Sequence, residues 1–195
     1  MSLPFESGAI TYTYRMHPNS YLVDYDIKAV GLEKYLSQRE NGLDMEWDMM
    51  IRQQERGRKF ENRYSGLYYK FVEDDVENLE TEKDDSQKLT NRVKWIGFKD
   101  QFFSSIIIAG GESFFSSTDL ESSMLSDVAD NNGTRYLKHC NSHMVVNFDP
   151  TGAESTELQY FFGPNQYKTL KAIEECKDGV EELQLVDILP LGWGI

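Results

Sequence analysis

The sequence is short of cysteine, of basic charge and of long apolar runs, and each shortage removes a class of protein. Two cysteines in 195 residues, Cys140 and Cys176, leave compartment open: they pair as one disulfide or stay as two thiols. Twenty Lys and Arg stand against 33 Asp and Glu, a net charge of −13. A chain so acidic is a poor nucleic-acid binder, because affinity for phosphate backbones comes chiefly from Lys and Arg, and it would not adsorb broadly to anionic lipid. No apolar run approaches the roughly 18 residues of a membrane-spanning helix. The densest stretch, 102–109, is broken by Ser104 and Ser105. The start, Met1-Ser2-Leu3-Pro4, has neither the basic opening nor the long apolar middle of a signal peptide.

Catalytic signatures are equally scarce. There is no G-x-S-x-G elbow and no Cys–His–Asn order. Gly110-Gly111 lacks the Lys-Ser/Thr that would cradle a phosphate. His139, Cys140 and His143 offer three metal-capable side chains, but a fourth ligand and a paired spacing are missing. His17 beside Pro18 reads as a turn residue. The expectation is a chain without catalytic residues, metal or cofactor.

What is present is aromatic and alternating. With 11 Tyr, 11 Phe and 3 Trp the composition leans towards strands. Ile10, Tyr12, Tyr14 and Met16 share one face, with Thr11, Thr13 and Arg15 on the other; His17 to Ser20 form a turn, and Tyr21, Val23, Tyr25, Ile27 and Ala29 resume the alternation. That is a hairpin. Leu43, Met45, Trp47 and Met49 alternate with Asp44, Glu46 and Asp48 as a third strand after Asn41-Gly42. Further strands are expected at 66–72, 93–98, 102–109, 144–148 and 157–162, with loops at 73–91 and 110–133. Short strands without regular helix alternation favour an antiparallel sandwich over a parallel α/β sheet, in a single domain spanning 1–195.

The C-terminal part changes character. Residues 165–176 read as an amphipathic helix with Tyr167, Leu170 and Ile173 on its stripe, preceded by Gly163-Pro164. Residues 180–189 read as a second, with Leu183, Val186 and Leu189 spaced at three. Both stripes should dock on the sandwich. The last residues, Leu191-Gly192-Trp193-Gly194-Ile195, are apolar, as where a hydrophobic segment follows.

Two charge features are local. Arg52, Arg56, Arg58, Lys59 and Arg63 face only Glu55 and Glu61 within 51–63, a net +3. Residues 73–85 hold eight acids and one Lys, a net −7. Either the two neutralise one another, or the cations form a docking surface for a complementary partner.

The segment Trp95-Ile96-Gly97-Phe98-Lys99-Asp100-Gln101-Phe102-Phe103-Ser104-Ser105 resembles the signature of the large periplasmic domain of the YidC membrane protein insertases. Tyr160-Phe161-Phe162-Gly163-Pro164-Asn165, followed by Tyr167 and Leu170, is similar to that family's strand, Gly-Pro turn and helix. The closing Leu189-Pro190-Leu191-Gly192-Trp193-Gly194-Ile195 resembles the approach to its second transmembrane helix, and Arg52 to Tyr64 the Bacteroidetes version of the domain. The resemblance covers residues 43–195; the first forty match only in strand pattern. It implies a galactose-mutarotase-like β-supersandwich, shortened at its N-terminus, that ends just before a membrane helix at the periplasmic face of the inner membrane. It further implies a non-enzymatic role in insertion, with Sec translocon components (SecDF, with SecF foremost, and SecYEG) and nascent membrane proteins as partners. The rival reading is a carbohydrate-binding or mutarotase-like protein, which would need two His and a carboxylate converging in an aromatic cleft.

Overall fold

The computed structural model describes residues 1–32, 35, 41–126, 135–175 and 183–190. Twelve strands are found among them: β1 (Ser2–Pro4), β2 (Ala9–Met16), β3 (Leu22–Val30), β4 (Gly42–Arg52), β5 (Gly66–Phe71), β6 (Val76–Asn78), β7 (Asp85–Leu89), β8 (Val93–Lys99), β9 (Phe103–Ala109), β10 (Phe115–Met124), β11 (Tyr136–Asn147) and β12 (Thr156–Pro164). Two α-helices, α1 (Arg58–Tyr64) and α2 (Tyr167–Glu175), and one 3-10 turn (Leu185–Ile188) complete the described elements. The fold is mainly β and antiparallel, as the alternation implies.

The strands form two layers. The larger runs β1-β2-β3-β12-β9-β8-β5-β6 and the smaller β7-β10-β11-β4. One backbone pairing joins them, Phe115 with Val93. Side chains of both inner faces fill the space between: Ile27, Leu67, Ile96, Phe98 and Ile107 from the larger layer, Phe115, Leu137, Cys140, Met144 and Val146 from the smaller. Trp47 of β4 stacks on Phe98 at 4.4 Å between ring centres.

A third layer covers the opposite face of the large sheet. Trp95, Ile106, Ile108 and Phe161 form a second cluster with Leu170, Ile173, Leu183, Leu185 and Ile188. The two centre strands are thus buried on both faces, so β9 reads Ile106-Ile107-Ile108-Ala109 without polar interruption. Gly97 makes room for this packing: a Cβ there would stand 3.1 Å from the Ile106 side chain. The Trp95 indole donates a hydrogen bond to the Leu183 carbonyl at 2.7 Å, fully buried. Full burial of Leu170 or Leu183 contributes about 1.5–3 kcal/mol each.

Several expectations are corrected here. The expected loop 110–133 contains ten-residue β10, and the expected loop 73–91 contains β6 and β7. The strand expected at 144–148 is the end of twelve-residue β11. In the expected helix 180–189 the described residues form only the 3-10 turn, and Leu185 and Ile188 are buried with Leu183 while Val186 is half-buried. Tyr167 is 50% exposed, so the buried stripe of α2 begins at Leu170. Cys140 is a buried free thiol, and Cys176 and 191–195 lie outside the described residues.

Four buried lysines fasten connections to the sheets. Lys70 donates to the Phe71 and Asp74 carbonyls (2.8 and 2.6 Å), Lys94 to those of Gly111 and Ser113 (2.5 and 3.2 Å), Lys99 to Tyr64 and Lys138 to Thr81. Burial pulls Lys99 and Lys138 down to about 8 from 10.5. Below pH 8 folded and unfolded chains both carry these charges, and the burial cost stands in full. Between about pH 8 and 10.5 the unfolded chain binds more protons, so stability rises with pH. Cys140, pushed by burial up to about 11 from 9.0, opposes the rise from pH 9. Tyr25, Tyr68, Tyr69 and Tyr160, all raised chiefly by burial, reverse it above pH 10. Urea unfolding should therefore show stability increasing from pH 7.5 to about 9, flattening, then falling above 10. Lys99→Met with Lys138→Met should flatten the increase. A wild-type profile that is flat or falling between pH 7.5 and 9 contradicts this assignment.

Candidate functional site

The five cations singled out in the sequence fall on one turn and the short helix after it. Arg52 closes β4, Arg56 lies in the turn, Arg58 and Lys59 open α1, and Arg63 lies in its last turn. Arg52, Arg56, Lys59 and Arg63 are exposed and Arg58 is half-buried. Buried Glu61 holds the turn from inside: its carboxylate accepts the backbone N–H groups of Gln54 (2.7 Å) and Glu55 (3.0 Å). Charge-assisted bonds of this kind fix a loop more firmly than neutral ones. Arg58 donates to the Leu125 carbonyl and to Gln53 Oε1 (3.2 Å). Arg63 meets Glu82 of the acidic segment at 3.0 Å, both partly exposed. The two charge features therefore touch at Arg63 and Glu82. A shallow depression of about 390 Å³ lies between Arg58, Lys59, Asn62, Glu82 and Met124.

The three histidines do not converge. His17 Nε2 lies 2.7 Å from Asp24 at the β2–β3 turn. His139 meets Asp48 at 2.5 Å and His143 meets Asp44 at 3.4 Å, both on the outer face of the small sheet. Cys140, between them in sequence, points into the core because neighbouring side chains of a strand alternate. Burial pushes the Asp48 carboxyl up, but the hydrogen bonds from His139 and Asn141 and the His139 charge outweigh it and leave it below the usual range. Among the described residues no three of His, Cys, Asp and Glu are grouped to hold a metal. The constellation required by the carbohydrate reading is not assembled.

Aromatic residues do assemble, and sequence reasoning missed their grouping. Tyr14 stacks on Tyr25 (4.6 Å), Tyr25 approaches Tyr160 (5.7 Å), and Tyr160 stacks on Phe162 (5.6 Å) and meets Trp47 edge-on (6.1 Å). These rings line the inner face of the large sheet beyond the edge of the small one. Tyr14, Met16 and Phe162 are 56%, 83% and 50% exposed. Alternation placed Tyr12, Tyr14 and Met16 on one face, but only the pairing of β12 with β3 brings Tyr160 beside Tyr25.

The two sequence motifs are brought together in space. Asp100 Oδ1 accepts the N–H groups of Phe102 (2.7 Å) and Phe103 (2.6 Å). Asn165 donates from its amide nitrogen to the Asp100 carbonyl (2.9 Å), and its amide oxygen accepts from Ser104 Oγ (2.6 Å). Asn165 also donates its backbone N–H to Phe102 (2.7 Å). The β8–β9 turn and the β12–α2 junction thus clasp one another. A Cβ at Gly163 would lie 2.6 Å from the Phe161 ring, which explains the glycine before Pro164.

A family model described as the YidC periplasmic domain matches residues 2–193. The chain belongs to this family. It is 41% identical over 190 residues to the membrane protein insertase YidC of Parabacteroides distasonis, covering 97% of this chain and 29% of the relative. It is 39% identical over 194 residues to that of Bacteroides fragilis (99% and 30%), and 28% identical over 197 residues to that of Porphyromonas gingivalis (100% and 30%). The chain spans less than a third of these relatives' length. None of the described helices is long and apolar enough to cross a membrane, and the periplasmic side is implied by the family's description.

The clamp on the cationic turn is open to measurement. Glu61→Ala removes two charge-assisted hydrogen bonds to the turn and should lower stability by about 1.5–3 kcal/mol. Hydrogen exchange at Gln54 and Glu55 should accelerate with it. Unchanged exchange at those two amides would show that the turn is held otherwise.

Proposed function

We propose that this domain carries no reaction of its own and serves a membrane protein insertase as a docking surface at the periplasmic face of the inner membrane. It forms one extramembrane domain of a longer, membrane-embedded protein. The observation that carries the reading is the match of residues 2–193 to a family described as periplasmic, with relatives named as insertases. The packing of α2 and the 3-10 turn supports a second part of it: a helical layer fastened to the sheet can fix the domain's angle to the membrane.

The docking surface in this reading is the cationic turn, and its partners are Sec translocon components, SecF foremost among SecDF and SecYEG, together with nascent membrane segments. Exposed Arg52, Arg56 and Lys59 in a chain of −13 form a local field of opposite sign, held in place by Glu61. Arg58 is bonded to neighbouring backbone and supports the turn more than it presents charge.

The test reverses Arg56 and Lys59 to Glu, sparing Arg58, and measures association with the periplasmic part of SecF at two ionic strengths. Binding should fall, and the loss should be greatest at low salt, because the Debye length shortens from about 10 Å at 0.1 M to about 3 Å at 1 M. Unchanged binding with lowered domain stability would assign these charges to internal pairing with residues 73–85.

A further inference from the structure

Among the described residues the last strand of the small sheet is open on one side. β4 pairs with β11 from Gly42–Asn147 to Arg52–Tyr136, and no described strand pairs with its other side. Eleven residues is long for an exposed edge, and it carries no proline, no lysine and no bulge of its own at the centre; what guards it is the charge of Asp44, Glu46 and Asp48. Proteins that leave such an edge free commonly use it to accept a further strand.

The ground beside the edge is specific. Inward, β4 presents Leu43, Met45, Trp47 and Met49, all half-buried. Trp47 rests on Phe98 and Tyr160, and past Tyr160 the large sheet continues as Tyr25 and Tyr14, with no described strand of the small sheet above them. Outward, β4 presents Asp44, Glu46 and Asp48 in a row with no cation of β4 among them; on the β11 side they meet His143, Asn141 and His139, and their other side faces the open edge. A strand added along β4 inherits both directions, since alternate side chains of neighbouring strands point to the same faces. One set of its side chains would lie on the tyrosine floor. The other would stand beside three carboxylates.

We propose that the free edge of β4 accepts an extended polypeptide segment in which apolar residues alternate with Lys or Arg, added as a further strand of the small sheet. Six such residues span about 20 Å, enough to pass all three acids. Charge decides against the alternative of a second copy of this chain. Antiparallel pairing of two β4 strands would set the acidic rows against one another, and like charges opposite one another across a ladder are destabilising. This surface is distinct from the cationic turn, and the proposal does not rest on docking there.

The test uses the 195-residue chain and three eight-residue peptides of fixed length: valine alternating with lysine, the same residues in two blocks, and valine alternating with glutamate. Titration calorimetry reads affinity, and amide hydrogen exchange reads the place of binding. The alternating lysine peptide should bind at least tenfold more tightly than either control and slow exchange along β4 at least tenfold. Asp44→Asn with Glu46→Gln and Asp48→Asn should weaken it at least tenfold, and Tyr14→Ser should weaken all three peptides while leaving the preference for lysine. Equal binding of the block or glutamate peptide overturns the proposal. So does protection that falls elsewhere than β4, or protection of the β4 edge before any peptide is added, whether from residues of the same chain or, with concentration dependence, from a second copy.

Discussion

The architecture depends on the two-sided burial of β8 and β9. A strand at the middle of an antiparallel sheet usually needs one apolar face; here both are apolar, so the large sheet cannot stand in water with only the small sheet against it. The helical layer answers that need, and the Trp95 indole fixes where it sits. Its buried N–H requires an acceptor, and the Leu183 carbonyl provides one at 2.7 Å. Remove the layer and Trp95, Ile106, Ile108 and Phe161 are exposed together. The Asp100–Asn165–Ser104 clasp belongs to the same device, because it holds the start of α2 against the turn between the two central strands.

Charge is distributed to suit this core. Most of the acids lie at the surface, whereas the buried ionic groups are largely lysines bonded to backbone carbonyls that would otherwise end loops without donors. An ammonium group can satisfy two such carbonyls at once, as Lys70 and Lys94 do, and its long stem lies along the apolar core. Glu61 does the converse job for N–H groups. The polar interior therefore serves to fix connections, and among the described residues no three of His, Cys, Asp and Glu are grouped to hold a metal.

The amino-acid order made much of this legible. Alternation marked β2, β3, β4, β5, β8, β9 and β12 within a few residues, because each of them carries large side chains on its buried face. It failed for β10 and for residues 136–143 of β11, where the inward positions include Thr118, Ser122 and Ser142, all buried. Small polar residues are buried at these positions, yet in sequence they read as loop. The 3-10 turn was mistaken for an α-helix because Leu183, Val186 and Leu189 repeat at three, a spacing that suits either helix. The cationic turn was visible as a charge island; the clamp that holds it was not, since Glu61 looked like one more surface acid. The tyrosine floor needed the pairing of β12 with β3, a contact across more than a hundred residues that no local pattern encodes.

Native-state amide hydrogen exchange tests most directly whether β8 and β9, sealed on both faces, hold the domain together. If they do, their amides exchange last and only through global unfolding, and the amides of α2 open in the same step. Slower exchange in β4 or β11 than in β8 and β9, or an α2 that opens well before them, would contradict the account.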